Sequence, residues 1–420
     1  VAKDEWMQVT RDADPEISPE EVRRRVVWAR RQGRPAWLWP DVSIDAWRSA
    51  MADVERVIRI LLADAPSTRL EGDAPAIELA GYTSGAGPLL GLWLEQGRLQ
   101  TSPAIAVALT RHLAHNRARA SSLTQTAVEI VRRLDDRGIR TLVLKGAHTG
   151  WTYFPEAGVR PASDIDLLVA DSDAAMAESV MDGCGLKFMG RSRWESCWAP
   201  TAGVSAPRSL TYVHAEDPWS VDLHSSLNIS AGCGTPLAEF DLRHPMASRS
   251  RWSVDAKAGV LDQPLLLLHL ATHAGVGWQN LTLLRQIELV LVIRRDFAAG
   301  TLSWDAFLEL GSKTGAIGYV YPALRLANRL APGSVPLSVL EICAASAPQA
   351  VQRATAQLTP ATAQRIDRNS IAEHFMWAQG WRGRLRLAAR DLLPADRSWP
   401  EFRRIYEERV WRLIRGRVSQ

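Results

Sequence analysis

The chain has 420 residues, 46% hydrophobic and 23% charged, with 50 basic against 46 acidic residues for a net charge of +4. That length suggests roughly two to four domains with substantial cores. So even a charge balance is no signal for nucleic acid, and four cysteines without a CxxC pair argue against a disulfide scaffold and a structural zinc site. No stretch approaches the ~18–20 uninterrupted apolar residues of a membrane helix. The charged N-terminus carries no apolar signal core, so a cytoplasmic protein is expected.

Only five of the basic residues are lysines: Lys3, Lys145, Lys187, Lys257 and Lys313. The arginine bias and abundant alanine fit a GC-rich bacterial genome, and Val1 reads as a GTG start translated literally. Against such a background each lysine is worth weighing individually.

In chain order, residues 1–20 are polar and acidic and are expected as a loose tail. Residues 21–136 read as helical: ISPEEVRRRVVWARR has a proline and acids at its start, and DAWRSAMADVERVIRILLAD and SSLTQTAVEIVRRLDDRG repeat apolar residues at three-to-four spacing. The glycine-rich GYTSGAGPLLG (81–91) lacks the GK[ST] of a phosphate loop and reads as an interhelical turn. From 137 to 250 the pattern is mixed. TLVLK (141–145) reads as a strand ended by Gly146, and DIDLLVA (164–170) as an alternating strand followed by the helix AAMAESVMDGCG. SLTYVHA (209–215) and SVDLH (220–224) read as a hairpin. Helical periodicity returns over 251–420, in QPLLLLHLATH, LTLLRQIELVLVIRR and SWDAFLELGSKTG. The expected fold class is α+β: a small mixed sheet flanked by N- and C-terminal helical regions.

The chemistry concentrates on the sheet. Residues i and i+2 of a strand share a face, so Asp164 and Asp166 project together while Ile165, Leu167 and Val169 face a core. Two carboxylates that close repel unless a cation lies between them, and aspartate is disfavoured in strands. Asp222, flanked by Val221 and Leu223, supplies a third acid from another strand. Three oxygen ligands on adjacent strands suit two Mg²⁺ ions ~3.5–4 Å apart, with Mn²⁺ as a substitute, for an in-line phosphoryl displacement. A strand ending in Gly146 brings backbone N–H groups to an anion without obstruction by a Cβ, and Lys145 and Arg160 supply positive charge for a triphosphate. The blander alternatives are a solvated edge strand for the aspartates and a solvated cap for Lys145.

The span LVLKGAHTGWTYFPEAGVRPASDIDLLVA resembles the core of the DNA-polymerase-β-type nucleotidyltransferases and, more narrowly, an uncharacterised bacterial nucleotidyltransferase family with LKG, a tyrosine and R…S-D-I-D-L-L-V. The resemblance implies Gly146 as the motif glycine, Asp164 and Asp166 as the metal pair and Asp222 as the third acid. Lys145, Gly146, Ala147, Arg160 and Ser163 would then border the nucleotide. The family's downstream helix, a histidine and later an arginine before an acid, is similar to LLHLATHAGVGWQNLTLLRQIEL, which makes His273 and Arg285 pocket candidates beside His224 and puts Glu288 near the acidic position. Ala147 departs from the glycine-or-serine pattern, so a hydroxyl contact to phosphate is lost there.

The implied activity is transfer of a nucleoside monophosphate from an NTP such as ATP to an acceptor hydroxyl, with release of pyrophosphate. Company with peptide natural-product pathways suggests a peptide or small metabolite as acceptor; toxin-type relatives suggest tRNA or protein; a non-catalytic partner protein is the third reading. His269 and His273 have the i,i+4 spacing of metal ligands but no third ligand follows, so they read as core or pocket histidines. Residues 377–420 hold eleven arginines against five acids, and Phe402, Tyr406, Val410, Leu413 and Ile414 form one stripe of a basic helix that is expected to pack on its neighbours.

Overall fold

The structure is a computed structural model that describes residues 17–32, 38–192, 194–203, 206–230, 236–238, 248, 250–365, 370–378, 381 and 384–385. Of the tail expected over 1–20, residues 1–16 lie outside the described residues, as does the basic stripe over 402–414, while Pro19 and Glu20 already belong to a helix.

Helices α1 (Pro19–Gln32), α2 (Ile44–Leu62), α3 (Ala74–Ser84), α4 (Gly87–Glu95) and α5 (Pro103–Asp135) come first, with a short parallel pair, β1 (Thr68–Leu70) and β2 (Leu99–Thr101), between them. The first three start at side-chain caps: Ser18 Oγ accepts from Glu21 N, Ser43 accepts from Ala46 N and Asp73 accepts from Ala76 N. The glycine-rich 81–91 stretch is mostly helical. Only Gly85 and Ala86 make the turn between α3 and α4, and Gly85 does so with φ of 71°.

The mixed region forms a five-stranded sheet in the order β3 (Leu142–Val143), β4 (Asp164–Leu168), β7 (Ser220–His224), β6 (Glu195–Pro200), β5 (Leu186–Arg191). Helices α6 (Lys145–Thr152) and α7 (Ala174–Gly183) interrupt it, and β8 (Ile229–Ser230) and β9 (Pro236–Ala238) form a separate pair. The α+β class is as expected, but two strand readings need correction. The strand over 141–145 stops at Val143; Lys145 opens α6 with φ of 34°.

Residues 209–215 form no strand, so the hairpin with 220–224 does not exist. Side chains take the backbone groups that a ladder would need: Ser209 Oγ accepts from Thr211 N and Tyr212 N, and Asp217 accepts from Arg208 N and His214 N. Strand β7 pairs instead in parallel with β4 and antiparallel with β6.

Helices α8 (Leu265–Val276), α9 (Leu283–Ala298), α10 (Trp304–Lys313), α11 (Tyr321–Leu330), α12 (Leu337–Ser346), α13 (Gln349–Ala356) and α14 (Ser370–Trp377) complete the described chain. The largest core joins both helical regions, with Val54, Ile58, Leu79 and Leu90 packed in one cluster with Leu267, Ile287, Leu324 and Leu330. A second core lies under the sheet, where Ile165, Leu167, Val169, Val221 and Leu223 meet Ile130, Val131 and Leu134 of α5 and Val180 and Met181 of α7.

Helix α5 serves both cores. Its 33 residues span about 50 Å at ~1.5 Å per residue; Ile105, Leu109 and Leu113 belong to the first cluster and Leu123 to Leu134 to the second. Midway, the buried Arg119 donates to the carbonyl oxygens of Ala162 (2.8 Å), Asp217 (2.6 Å) and Pro218 (2.9 Å). Those carbonyls precede β4 and β7, so one guanidinium fixes the approach to both acid-bearing strands. Arg119→Met would strand three inward-facing acceptors at ~1–3 kcal/mol each. We predict a loss of about 3 kcal/mol or more in urea-monitored unfolding free energy, with little recovery from Arg119→Lys, which has no planar fork.

Candidate active site

Parallel pairing places Asp166 directly opposite Asp222, with Asp164 two residues before Asp166 on the same face. One carboxylate oxygen from each of Asp164, Asp166 and Asp222 lies within 4.8 Å of the others. The hydrophobic residues between them anchor the opposite face, so a slip of one residue would bury the acids and expose the core.

Each acid is differently partnered. Asp166 Oδ1 accepts from Lys145 Nζ at 2.8 Å and from His224 Nε2 at 2.9 Å. Burial works against its charge, yet Lys145 and His224 outweigh burial and hold Asp166 well below the usual carboxylate range. Burial likewise works against the Lys145 charge, but Asp166 and Asp164 raise its pKa, so the ammonium persists. Burial and the adjacent Asp166 push Asp164 up to about 6. Cys197 of β6 lies opposite Asp222, and burial together with that carboxylate pushes its thiol up to about 11.

A second charged pair closes the site from the helical side. Arg160 Nε donates to Glu288 Oε1 at 2.8 Å and Nη2 donates to Oε2 at 3.2 Å, a fork that joins the approach to β4 with helix α9. Thr149 Oγ1 also donates to Glu288. Burial opposes both charges of the pair; their mutual attraction raises Arg160 and lowers Glu288. Gly146 is what lets Arg160 through: a Cβ there would lie 2.5 Å from Arg160 Nη1.

The cavity between these pairs measures about 330 Å³. Of the sequence candidates, Lys145, Gly146, Arg160, Asp164, Asp166, Asp222, His224, His273 and Arg285 line it together. Ser163 is exposed, and Ala147 packs toward the sheet core with its carbonyl accepting from Trp252 Nε1; neither lines the cavity. Leu270, Ala274 and Leu289 give it one apolar wall. Glu195 also lines it, with Oε2 at 3.5 Å from His224 Nδ1. That residue was missed because β6, ESCWAP, has no alternating pattern to mark it as a strand. His269 is buried with neither ring nitrogen hydrogen-bonded among the described residues, and burial lowers it to about 3. The positive charge of Lys145 and burial hold His273 well below its usual value, so both imidazoles are neutral.

The donor set is all oxygen, three carboxylates with one lysine among them, which fits a hard divalent cation. Two of the three acids keep no cationic partner within ion-pair distance among the described residues, so the cluster carries surplus negative charge. Carboxylates so arranged on neighbouring strands could hold a metal ion between them. The chain belongs to the uncharacterised nucleotidyltransferase family, whose sequence profile matches residues 83–332, more than half its length. Comparison with curated proteins and with solved structures gives no match.

Two expectations follow. Glu288→Gln leaves the buried Arg160 guanidinium without its counter-charge, and breaking such a pair costs about 3–5 kcal/mol; the lowered unfolding free energy should appear in chemical denaturation. Asp164 carries the pH dependence. Its folded pKa of about 6 exceeds the ordinary 3.8, so its favourable contribution is complete below 3.8 and is lost as pH rises through about 6. Thermal melts of the metal-free protein should therefore lose a pH-dependent decline between about pH 4 and 6 in Asp164→Asn. Asp166, whose pKa is lowered, acts only at lower pH and leaves that window clear.

Proposed function

We propose that the protein transfers a nucleoside monophosphate from an NTP to an acceptor hydroxyl, with Mg²⁺ held by Asp164, Asp166 and Asp222. The observation that carries this reading is the convergence of three carboxylates from two parallel strands at one end of a cavity that also holds a lysine and two arginines. A bound divalent cation supplies neutralisation of phosphate charge and alignment of the reacting oxygens.

The chain's own groups do the remainder. Asp222, on the strand next to the metal pair, accepts the proton of the attacking hydroxyl at its carboxylate. The acceptor oxygen then bonds to the α-phosphorus, and the bond from that phosphorus to the bridging oxygen breaks. Pyrophosphate leaves with the bonding electron pair. Among the described residues no side chain caps the first turn of α6, so the N–H groups following Leu144 offer donors to phosphate beside Gly146. Lys145 and His224 hold Asp166 in place through its Oδ1. Arg160, engaged by Glu288, acts through position more than through direct phosphate contact. Most of the acceleration in such a site comes from positioning and charge neutralisation.

A peptide or small metabolite is the acceptor this reading favours: the site is a recessed cavity of about 330 Å³ with one apolar wall. The test is transfer of label from an α-labelled NTP across a panel of peptides, metabolites and tRNA. Wild-type protein should label an acceptor in a Mg²⁺- or Mn²⁺-dependent way, and Asp164→Asn should lose about 10³-fold or more, comparable to removing a charge-stabilising group. Labelling that survives Asp164→Asn, or no Mg²⁺-dependent nucleotide binding at all, overturns the reading; tRNA labelling moves the acceptor class without touching the chemistry.

A further inference from the structure

The charges that line the cavity are not evenly satisfied. Lys145 is taken by Asp166 and Arg160 by Glu288. Arg285 is different. Its backbone N–H is tied to the Thr282 hydroxyl at the start of α9, but its guanidinium has no hydrogen bond and no carboxylate within ion-pair distance among the described residues. It lines the cavity together with His273 of α8, whose imidazole also has no hydrogen-bond partner among the described residues. Glu288, one turn further along α9, could have paired with Arg285 and is instead held by Arg160 and Thr149. Taking a guanidinium out of water without a partner is unfavourable. A planar fork of donors left open in a cavity matches phosphate oxygens better than any other common anion except carboxylate.

The acids are unevenly satisfied in the opposite sense. Asp164 and Asp222 have no ion-pair partner among the described residues, while Asp166 is already occupied. The cavity therefore has unsatisfied negative charge on the sheet and unsatisfied positive charge on the helices. One ligand that answers both is a polyphosphate carrying a divalent cation.

We propose that Arg285 and His273 form the polyphosphate subsite, taking the β- and γ-phosphates of the NTP and holding the pyrophosphate as it leaves, while Arg160 is a positioning residue. This rests on the nucleotidyl-transfer reading and deepens it. In the transfer step the bond from the α-phosphorus to the β-bridging oxygen breaks, and the new negative charge on that oxygen develops on the side facing Arg285. Arg285 thus binds substrate and stabilises the leaving group with one side chain. His273, neutral, contributes a hydrogen bond rather than charge.

The experiment is equilibrium binding to the full chain of three probes: sodium tripolyphosphate, an α,β-methylene nucleoside triphosphate and the matching nucleoside monophosphate, each with MnCl₂. For Arg285→Met the dissociation constants for tripolyphosphate and the triphosphate analogue should rise about 30–100-fold, the scale of a lost charge-assisted fork. Monophosphate binding should change less than about threefold, and Mn²⁺ binding without nucleotide should persist or tighten as a repelling cation is removed. Arg285→Lys keeps the charge without the fork and should fall between, which also serves if the methionine variant does not fold. Unchanged tripolyphosphate and triphosphate affinity in both variants overturns the subsite, as does an equal loss of monophosphate. The two readings fail separately. Arg285-dependent tripolyphosphate binding without any nucleotidyl transfer would sink the activity and leave the subsite. Transfer with normal affinity in Arg285→Met would sink the subsite and leave the activity.

Discussion

Three carboxylates held within 4.8 Å of one another by the pairing of β4 with β7 repel one another, and the charged groups around them are arranged in answer to that repulsion. The parallel register makes the cluster unavoidable: with Asp166 opposite Asp222, and Asp164 two residues back, the acids cannot be separated without shifting the hydrophobic set between them. Lys145 relieves part of the repulsion from the turn into α6, and His224 steadies the same oxygen from β7. What remains is an acidic wall with capacity for a cation, and this is the feature from which the proposed chemistry grows.

The rest of the fold keeps that wall facing a cavity. Helix α5 underlies the sheet with one half and joins the large helical core with the other, and Arg119 ties its midpoint to the segments that lead into β4 and β7. The fork from Arg160 to Glu288 then joins the sheet's approach loop to α9. Helices from the two ends of the described chain pack in one cluster, so α8 and α9, with His273, Arg285 and Glu288, are positioned over the sheet by a core that includes residues some two hundred positions earlier. Buried pairs of this kind add little net stability compared with apolar packing, but they are demanding in geometry, which suits a site that must hold charges apart.

The carboxylate triad was legible because strand periodicity is local: aspartates two apart in DIDLLVA, and one between Val221 and Leu223, can face only one way if the apolar residues are buried. The pairing of those strands was not legible. SLTYVHA looks like a natural partner for SVDLH by composition and distance, yet Ser209 and Asp217 fold it into a loop, and the true neighbours of β7 lie at Asp164–Leu168 and Glu195–Pro200. The roles of the cations were also beyond the sequence. Lys145 and Arg160 both read as phosphate contacts, but their partners, Asp166 and Glu288, are 21 and 128 positions away, and only the folded chain shows which cation has none among the described residues. At Gly146 the close approach of Arg160 supplies a steric reason for glycine that no pattern along the chain expresses.

The central claim, that Asp164, Asp166 and Asp222 form a metal centre that presents a nucleotide to the rest of the cavity, is most directly tested by diffraction at the manganese absorption edge. Crystals grown with MnCl₂ and an α,β-methylene nucleoside triphosphate should show anomalous density within coordination distance of all three carboxylates, bridged to phosphate oxygens. Anomalous density elsewhere, or a nucleotide bound with no metal between it and the three aspartates, would contradict the account.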